Sequence, residues 1–253
     1  MAAFEFELTR RTAAVGDLHL DPAGDERSWQ FGAWLERLAG DEHLIVLGDL
    51  FEVWVGPAQA RLAGAAEVLD ALSRATRRGV LVDVVPGNRD FLLGRDFAAR
   101  TGAGVRPAGL VGTRARGDVR RFLFLHGDEL CTRDRAYQRM KRVLRSAPVR
   151  GLSRLLPLPA ARWAAGRLRG ASVRAVGRKS SDVKALQPDA CRRAARGVGA
   201  DAVVCGHAHE SRDERMEGGL RWIVVDAWGG ERDLLAIGPE GELGLTGSGG
   251  WPG

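Results

Sequence analysis

Cysteine is scarce in this chain: Cys131, Cys191 and Cys205 are the three present, and no two have Cys-x-x-Cys spacing. An odd number of thiols without that spacing indicates reduced cysteines in a cytoplasmic protein rather than a disulfide framework. No run of about 18 uncharged apolar residues occurs, so we expect no membrane-spanning helix. The first ten residues contain no apolar core, so no secretory signal peptide is expected either.

Acidic residues are almost missing from one segment. Between Arg133 and Lys179, 14 Lys and Arg stand against a single acid, Asp134, for a net charge of +13. Because the whole chain carries +6, the remainder carries −7. Such a basic block usually faces a polyanion or an anionic surface. A solvated helical face, or the amino-acid usage of an arginine-rich genome, is the alternative explanation.

Strand and helix patterns alternate along the first third of the chain. With 253 residues, 45% of them hydrophobic, the chain suffices for one large α/β domain or a domain with an insertion. Helical periodicity at 28–38 and 58–77 separates the first three strands, which predicts an α/β fold with a largely parallel sheet. A glycine-rich tail, 241–253, is expected to be poorly ordered. Strands are predicted at 12–15, 44–47, 80–85, 121–125, 200–205, 222–225 and 234–237, the last two in a second sheet.

Five short segments share a position and a chemistry, because each follows an apolar run and each contains Asp, Asn or His. Ligands of open α/β sheets gather beyond the carboxyl ends of the strands, so segments distant in sequence can converge there. Carboxylates mixed with imidazoles suit a pair of divalent ions such as Mn²⁺, and paired metals are a standard apparatus for cleaving phosphate esters. The segments are Gly16-Asp17-Leu18-His19, Gly48-Asp49-Leu50-Phe51-Glu52, Gly87-Asn88-Arg89-Asp90, His126-Gly127-Asp128 and Gly206-His207-Ala208-His209.

Each segment alone is a weak signal, since a single Gly-Asn is usually only a turn. The ordered series of five, each after a predicted strand, is a strong one. Asp17 and His19 lie two residues apart, which brings both side chains to one side of an extended segment, and the same holds for His207 and His209. The remaining histidine, His43, is expected to be an ordinary surface or helix-end residue.

The series resembles the calcineurin-like metallophosphoesterase superfamily across nearly the whole chain. That resemblance implies a four-layer α/β/β/α sandwich that binds two divalent metal ions. It implies a first ion held by Asp17, His19, Asp49 and His209. Asp49 would bridge to a second ion, held also by Asn88, His126 and His207.

A finer resemblance links stretches 48–54, 87–94 and 126–138 to the UDP-2,3-diacylglucosamine pyrophosphohydrolases of lipid A synthesis. In that family a helical lid holds the two acyl chains of the substrate, and cleavage yields UMP and 2,3-diacylglucosamine 1-phosphate. The resemblance therefore implies a lipid-linked nucleotide as substrate and peripheral contact with the cytoplasmic face of the inner membrane. The implied catalytic residues are Arg89, Asp49 and His126. The implied substrate contacts are Asn88, Arg89, Asp134, Tyr137, Ser172, Lys179 and His207.

The basic segment fits this expectation. It shows helical patterns at 136–145 and 160–176 and lies between two metal motifs, so we predict a helical lid insertion at 133–195. The core would then comprise 1–132 and 196–253. Its leucines could hold acyl chains or meet a membrane, or they could simply pack on the core.

Three features depart from the finer family. The usual Gly-His-Thr-His-Arg-Pro reads Gly206-His207-Ala208-His209-Glu210-Ser211 here, so a basic residue is missing beside the site. Val176 replaces an Asn that is typical of the lid, and the lid is unusually rich in arginine. These departures leave the metal assignment intact and bear on the lipid substrate.

Arg89 favours a pyrophosphate over an alkyl ester. Many superfamily members have a histidine there that assists the leaving group, whereas a departing phosphate needs little protonation. The permanently charged guanidinium can instead stabilise phosphoryl oxygens in the transition state.

Two other functions remain as alternatives. One is a metallophosphoesterase acting on nucleic acid, another nucleotide or another phosphodiester, with the basic segment along a phosphate backbone. Tyr137 and Trp163 are the only aromatics in that segment, which is few for base stacking and makes nucleic acid the less favoured partner. The other is a non-catalytic scaffold, which normally requires that ligands be lost, and none of the seven is missing here.

Overall fold

Two six-stranded sheets form the centre of the described part of the chain. The computed structural model describes residues 2–177 and 185–251, without the side chains of 171–177. The strands are β1 (Phe4–Glu7), β2 (Thr12–Val15), β3 (His43–Val46), β4 (Leu81–Val84), β5 (Gly104–Val105), β6 (Leu110–Thr113), β7 (Arg121–Phe124), β8 (Ala202–Cys205), β9 (Arg212–Arg215), β10 (Arg221–Val224), β11 (Leu234–Ile237) and β12 (Leu243–Thr246).

The first sheet has the order β12-β11-β2-β3-β4-β5, and the second has the order β1-β6-β7-β8-β10-β9. Strands β2, β3, β4 and β5 are parallel, with Val15 level with Val46 and Val46 level with Val84. In the second sheet β7 is parallel to β8, and Phe124 lies level with Val204. The carboxyl ends of these strands therefore lie side by side, which places the polar segments that follow them at one edge of each sheet.

Helices α1 and α2 cover the outer face of the first sheet, and α7 covers that of the second. The helices of the described ranges are α1 (Glu26–Leu35), α2 (Ala63–Arg77), α3 (Arg95–Thr101), α4 (Arg135–Leu144), α5 (Ala147–Leu155), α6 (Leu158–Gly177) and α7 (Pro188–Val198). No helix in the described ranges is long and apolar enough to cross a membrane.

Three apolar clusters define the layers of the sandwich. The first packs α1 and α2 on the first sheet through residues such as Phe31, Leu72 and Val46. The second fills the space between the sheets, and the third packs Cys191 of α7 against Trp222 of β10. The predicted four-layer α/β/β/α architecture is thus confirmed.

Several predicted elements differ in detail. The strands at 222–225 and 234–237 were expected in one sheet, but β10 pairs with β8 in the second sheet while β11 pairs with β2 in the first. The helix predicted at 58–77 is divided at Leu62, whose extended backbone separates a 3₁₀-helix, Pro57–Arg61, from α2.

The glycine-rich tail is not the loose segment that its composition predicts. Its β12 extends the first sheet, and Trp251 is buried with 1% of its surface exposed. The indole Nε1 of Trp34 donates a hydrogen bond to the carbonyl of Ser248, and Asp233 accepts one from the Ser248 amide. Burial of one large aromatic, whose indole Nε1 donates to Glu42 at 3.3 Å, overrides the flexibility of its glycine neighbours.

His43 is also misplaced by the sequence prediction, because it is buried in β3 rather than on the surface. Its Nε2 lies 3.0 Å from Oδ2 of Asp83 on the adjacent strand, and Arg106 donates to Oδ1 of the same carboxylate at 2.7 Å. The neighbouring strand supplies a partner that nothing near His43 in sequence indicates.

The helices of the predicted insertion, 133–195, pack on two different parts of the molecule. Helices α5 and α6 lie near the 3₁₀-helix Pro57–Arg61, where Ala161 and Ala165 of α6 pack on Val55. In contrast, Leu186 and Ala190 belong to the cluster that packs α7 on the second sheet. The last residues of the range 133–195 therefore lie with the core, since α7 buries its apolar face there.

Candidate metal centre

The seven predicted metal ligands converge at the carboxyl ends of the strands. Ligand atoms of Asp17, His19 and His209 lie within 4.8 Å of one another, and so do those of Asp17, Asp49 and His126. Asn88 and His207 join the second group through His126, whose Nε2 lies 2.9 Å from Asn88 Oδ1 and 3.2 Å from His207 Nδ1. The structure thus brings all seven together, and their role as ligands stays a prediction.

The backbone at these ligands is strained. Among the described residues, the non-glycine residues with positive φ are Asp17, His19, Asp49, His207 and His209, with φ between 50° and 70°. All five are predicted ligands. A left-handed conformation costs a non-glycine residue about 1–3 kcal/mol and persists where surrounding contacts enforce it, often at functional sites.

Glycine at position 48 allows the ligand loops to approach closely. Gly48 has φ of +91°, and a Cβ there would lie 2.5 Å from His126 Nδ1 and 2.8 Å from the Cα of Gly87. The first residue of the second segment is thus in contact with the third and fourth segments. Only glycine permits this approach, which holds three of the five segments together.

His126 is oriented by the carbonyl of Leu47. Its Nδ1 lies 2.7 Å from that oxygen, which can only accept, so Nδ1 carries a proton and Nε2 points towards the predicted centre. Nε2 faces the side-chain oxygen of Asn88 and a ring nitrogen of His207. Metal-ligating histidines are commonly fixed by such a hydrogen bond on the opposite ring nitrogen.

The ring nitrogens of His19 and His209 and the carboxylate of Asp17, on the other side of Asp49, could also bind a cation. The Nε2 atoms of His19 and His209 face each other at 3.1 Å, and His209 Nε2 lies 3.5 Å from Asp17 Oδ1. That buried carboxylate oxygen has no hydrogen-bond partner among the described residues. A buried acceptor without a donor costs free energy, and a divalent ion between these atoms would satisfy it.

The pKa values of Asp17 and Asp49 are shifted in opposite directions by burial and by neighbouring charges. Burial would raise the pKa of Asp17, but the imidazoles of His209, His126 and His207 hold it below its ordinary value. Burial and the neighbouring Asp17 raise the pKa of Asp49. Two buried carboxylates that compete in this way form a site in which positive charge is strongly favoured.

Arg89 lies beside this centre. Its amide donates to Asp49 Oδ1 at 2.8 Å, and its guanidinium Nε is 4.0 Å from Asp49 Oδ2. The same side chain pairs with Glu52 at 2.9 Å, and 22% of it is exposed. A guanidinium held at the edge of the centre can still reach an incoming phosphate.

Glu52 acquires a role that its sequence motif did not specify. Its Oε2 lies 3.3 Å from His19 Nδ1, its Oε1 pairs with Arg89, and Arg169 of α6 lies 3.2 Å from the same oxygen. One carboxylate therefore contacts a predicted ligand, the predicted catalytic arginine and helix α6. Its place in the Gly-Asp-x-x-Glu segment was the available signal, but the lid contact required the fold.

Two more buried acids stabilise the ligand loops. Asp90 accepts hydrogen bonds from the amides of Leu50 at 2.8 Å and Gly87 at 2.7 Å, which ties the second segment to the third. Asp128 lies 2.7 Å from Lys141 Nζ on α4, and the Tyr137 hydroxyl donates to it. Burial and the negative Asp128 raise the pKa of Tyr137, so its hydroxyl stays protonated as a donor.

The predicted lid contacts are only partly placed by the structure. Asp134 is buried and caps α4, accepting from the Tyr137 amide at 3.0 Å, while Tyr137 itself bonds to Asp128. Both therefore have structural partners, and direct contact with substrate stays a prediction for each. The side chain of Ser172, like that of Val176, and the whole of Lys179 lie outside the described residues. Glu210 is exposed beside His209.

A two-sheet sandwich whose strand ends present carboxylates, an amide and imidazoles around two adjoining positions defines the class of dinuclear metal-dependent phosphoesterases. The model of one family, the calcineurin-like phosphoesterases, matches residues 10–211. The chain therefore belongs to the calcineurin-like phosphoesterase family, whose members use a dinuclear divalent metal site. It is accordingly a metal-dependent hydrolase of phosphate esters or anhydrides, and the alternative of a non-catalytic scaffold is wrong.

Curated relatives resemble the chain over nearly its full length. A UDP-2,3-diacylglucosamine hydrolase of Sodalis glossinidius is 33% identical over 92% of this chain and 96% of its own length. A protein of the same name from Shewanella piezotolerans is 33% identical over 90% of this chain and 94% of its own. Among solved structures, vacuolar protein sorting 29 of Cryptosporidium parvum has a TM-score of 0.46 at 15% identity, covering 92% of this chain and 86% of its own.

Proposed function

We propose that this chain hydrolyses the pyrophosphate of UDP-2,3-diacylglucosamine to UMP and 2,3-diacylglucosamine 1-phosphate. The observation that carries this proposal is the likeness, at 33% identity over 92% of the chain, to a relative named for that substrate. The complete set of seven ligand residues around one centre supports the same chemistry.

Two divalent ions would be held by the converging side chains. Asp17, His19 and His209 would bind one, Asn88, His126 and His207 the other, and Asp49 both. Carboxylate oxygens combined with imidazole nitrogens suit divalent ions such as Mn²⁺. When bound, such ions polarise phosphoryl oxygens and lower the pKa of water.

Arg89 would stabilise the negative charge that develops on the phosphoryl group. Its main chain is anchored to Asp49 and its guanidinium is held by Glu52, so the positive charge is positioned before substrate arrives. Such preorganised charge is a large contribution to catalysis. A phosphate leaving group needs no proton from this position, which suits an arginine.

We propose α4, α5 and α6 as a lid for the acyl chains. Leu156 and Leu168 pack against the cluster of Val55, Ala161 and Ala165, which gives the lid an apolar inner side next to Leu92. This cluster begins three residues beyond Arg89. Acyl chains could therefore lie against it while the pyrophosphate lies at the metal centre.

The outer side of the lid would contact the cytoplasmic face of a membrane. Leu155 and Trp163 are 79% and 70% exposed, and Leu152 is exposed as well. They stand among the arginines of a segment with a net charge of +13. Apolar side chains interleaved with cations are typical of surfaces that bind anionic lipid headgroups.

One parallel assay tests the proposed function. The Mn²⁺-loaded protein is incubated with UDP-2,3-diacylglucosamine, UDP-glucosamine, a cyclic nucleotide and single-stranded DNA, and products are separated by chromatography. We expect UMP release from the acylated substrate and much slower turnover of the others. Asp49→Asn should abolish it, whereas the matched surface variant Asp70→Asn, which loses only an exposed pair with Arg100, should not.

The alternatives give different results in the same assay. Cleavage of DNA or of the cyclic nucleotide in preference to the acylated substrate would support a phosphodiesterase and refute the proposal. Equal turnover of UDP-glucosamine would refute the acyl-binding role of the lid while leaving pyrophosphate hydrolysis standing.

A further inference from the structure

A groove lies beside the metal centre, between α4 and the loop that joins β5 to β6. It consists of two adjoining cavities of about 420 and 230 Å³, which share Pro107, Ala108 and Arg145. The larger cavity lies within the range of about 300–1,000 Å³ that small-molecule sites usually occupy. None of the predicted metal ligands lines either cavity.

The walls of this groove combine an apolar floor with a basic rim. Phe91, Pro107, Ala108 and Leu125 provide the apolar surface, and Arg142, Arg145 and Arg150 provide the charge. Arg142 and Arg150 are exposed, and no described acid lies within ion-pair distance of either. Apolar surface flanked by the exposed guanidinium groups of Arg142 and Arg150 is suited to a ligand that has both a ring system and a phosphate.

The inner end of the groove is built by the segments that carry the metal centre. Arg145 donates to the carbonyls of Pro86 at 3.0 Å and Gly87 at 3.3 Å, directly before Asn88. Leu125 directly precedes His126, and Phe91 follows Arg89 by two residues. A ligand in the groove would therefore extend away from the centre while its phosphate stayed close to Arg89.

The short segment after Arg89 separates the groove from the lid. Phe91 lines the groove, whereas the next residue, Leu92, packs against the apolar cluster of Val55 and Ala161. Two consecutive side chains thus contribute to two different sites, one basic and one apolar. A pyrophosphate that joins a nucleoside to a lipid has the same two-sided character.

We propose that this groove binds the nucleoside monophosphate half of the pyrophosphate substrate, with the base on the apolar floor and the phosphate at the inner end of the arginine rim, where Arg145 contacts the segment that carries Asn88. The inference rests on the proposed function for the identity of the other half, which would lie under the lid. Gln138 lines the larger cavity, and because its Nε2 donates to the carbonyl of Asp128 at 2.7 Å, its side-chain oxygen is the atom that would accept from a ribose hydroxyl or a base N–H.

Calorimetric titration of UMP into the Mn²⁺-loaded full chain tests this groove without relying on turnover. Arg142→Glu reverses a rim charge and Ala108→Trp fills the floor, and each should weaken UMP binding by about tenfold or more. Arg77→Glu makes the same charge change on the exposed side of α2, far from the groove in sequence, and should leave UMP affinity unaltered. Thermal unfolding confirms that each variant is folded.

Inorganic phosphate is the second probe, because an arginine rim could bind any anion. We expect Ala108→Trp to weaken UMP binding but not phosphate binding, and the KM of the nucleotide substrate to rise more than kcat falls. UMP binding that is absent from the wild type, no tighter than phosphate binding, or unaltered by both variants would overturn the groove assignment. Lack of UMP release by a wild type that binds UMP through these residues would instead refute the proposed function alone.

Discussion

Replacement of Arg89 by alanine separates the catalytic contribution of the guanidinium from its structural one. The main chain at this position is fixed independently of the side chain, since the Arg89 amide donates to Asp49 and its carbonyl accepts from Trp54 at 2.9 Å. The substitution therefore removes a charge at the edge of the centre and leaves the loop in place. No ligand of the predicted metal centre is removed.

The magnitude follows from the surroundings of the side chain. Loss of one preorganised contact to developing charge costs about 2.7–4 kcal/mol, or on the order of 10²-fold or more in kcat. The structural cost is small, because Arg89 and Glu52 are partly exposed and Arg169 still pairs with Glu52. The free energy of unfolding should fall by about 1 kcal/mol or less.

The assay is steady-state UMP release together with metal content and urea unfolding, measured on one preparation. Arg154→Ala is the matched control, because it also removes an arginine that pairs with a carboxylate. Arg154 lies on α5 and its Nε is 2.8 Å from Asp96 Oδ2. Arg89→Lys should lie between alanine and wild type, because it keeps the charge but loses the planar fork. A kcat loss of less than about threefold in Arg89→Ala, or a parallel loss of bound Mn²⁺, would refute the reasoning, given the expected 10²-fold effect.

Three further predictions concern the metal centre, the core and the lid. Glu52→Gln should weaken Mn²⁺ binding by about 10–100-fold in competition calorimetry, because the carboxylate 3.3 Å from His19 Nδ1 helps to orient that ring. Burial alone would raise the pKa of Asp83, but His43 and Arg106 hold it below its ordinary value. The ionised Asp83 therefore contributes to the free energy of unfolding at neutral pH, and this contribution is lost as the pH falls below about 4. In urea unfolding, the stability of Asp83→Asn should decrease less than that of the wild type over this acidic range. Trp163→Glu should weaken binding to anionic vesicles by about tenfold, while Trp29→Glu, at a site 64% exposed on α1, should not.

The strand ends were the part of the site that sequence patterns could predict. Runs such as 44–47 and 80–85 are apolar because both faces of a central parallel strand are buried. The polar residues after them can only lie at the edge of the sheet. The approximate position of Asp49 and Asn88 therefore followed from local pattern, and the structure places them together as expected.

Other elements could not be predicted because their partners are distant in sequence. Strand β9 is polar and exposed, with the sequence Arg-Asp-Glu-Arg, and it exists because β10 offers an antiparallel edge. His43 is buried only because Asp83 lies on the adjacent strand. Trp251 orders a glycine-rich tail because its ring is buried in the first apolar cluster, between the side chains of Arg11 and Glu42.

The amino-acid sequence by itself indicated an α/β fold, five polar segments that follow strands and a basic helical segment, and the resemblance to the calcineurin-like superfamily implied the seven candidate ligands. The first three follow from residue types and their spacing relative to apolar runs, which are local properties. Only the tertiary structure decided that Glu52 contacts His19, Arg89 and Arg169 together, that α7 packs on the second sheet, and that a basic groove lies between α4 and the loop that joins β5 to β6. Each of these depends on the distance between segments far apart along the chain, and only packing sets that distance.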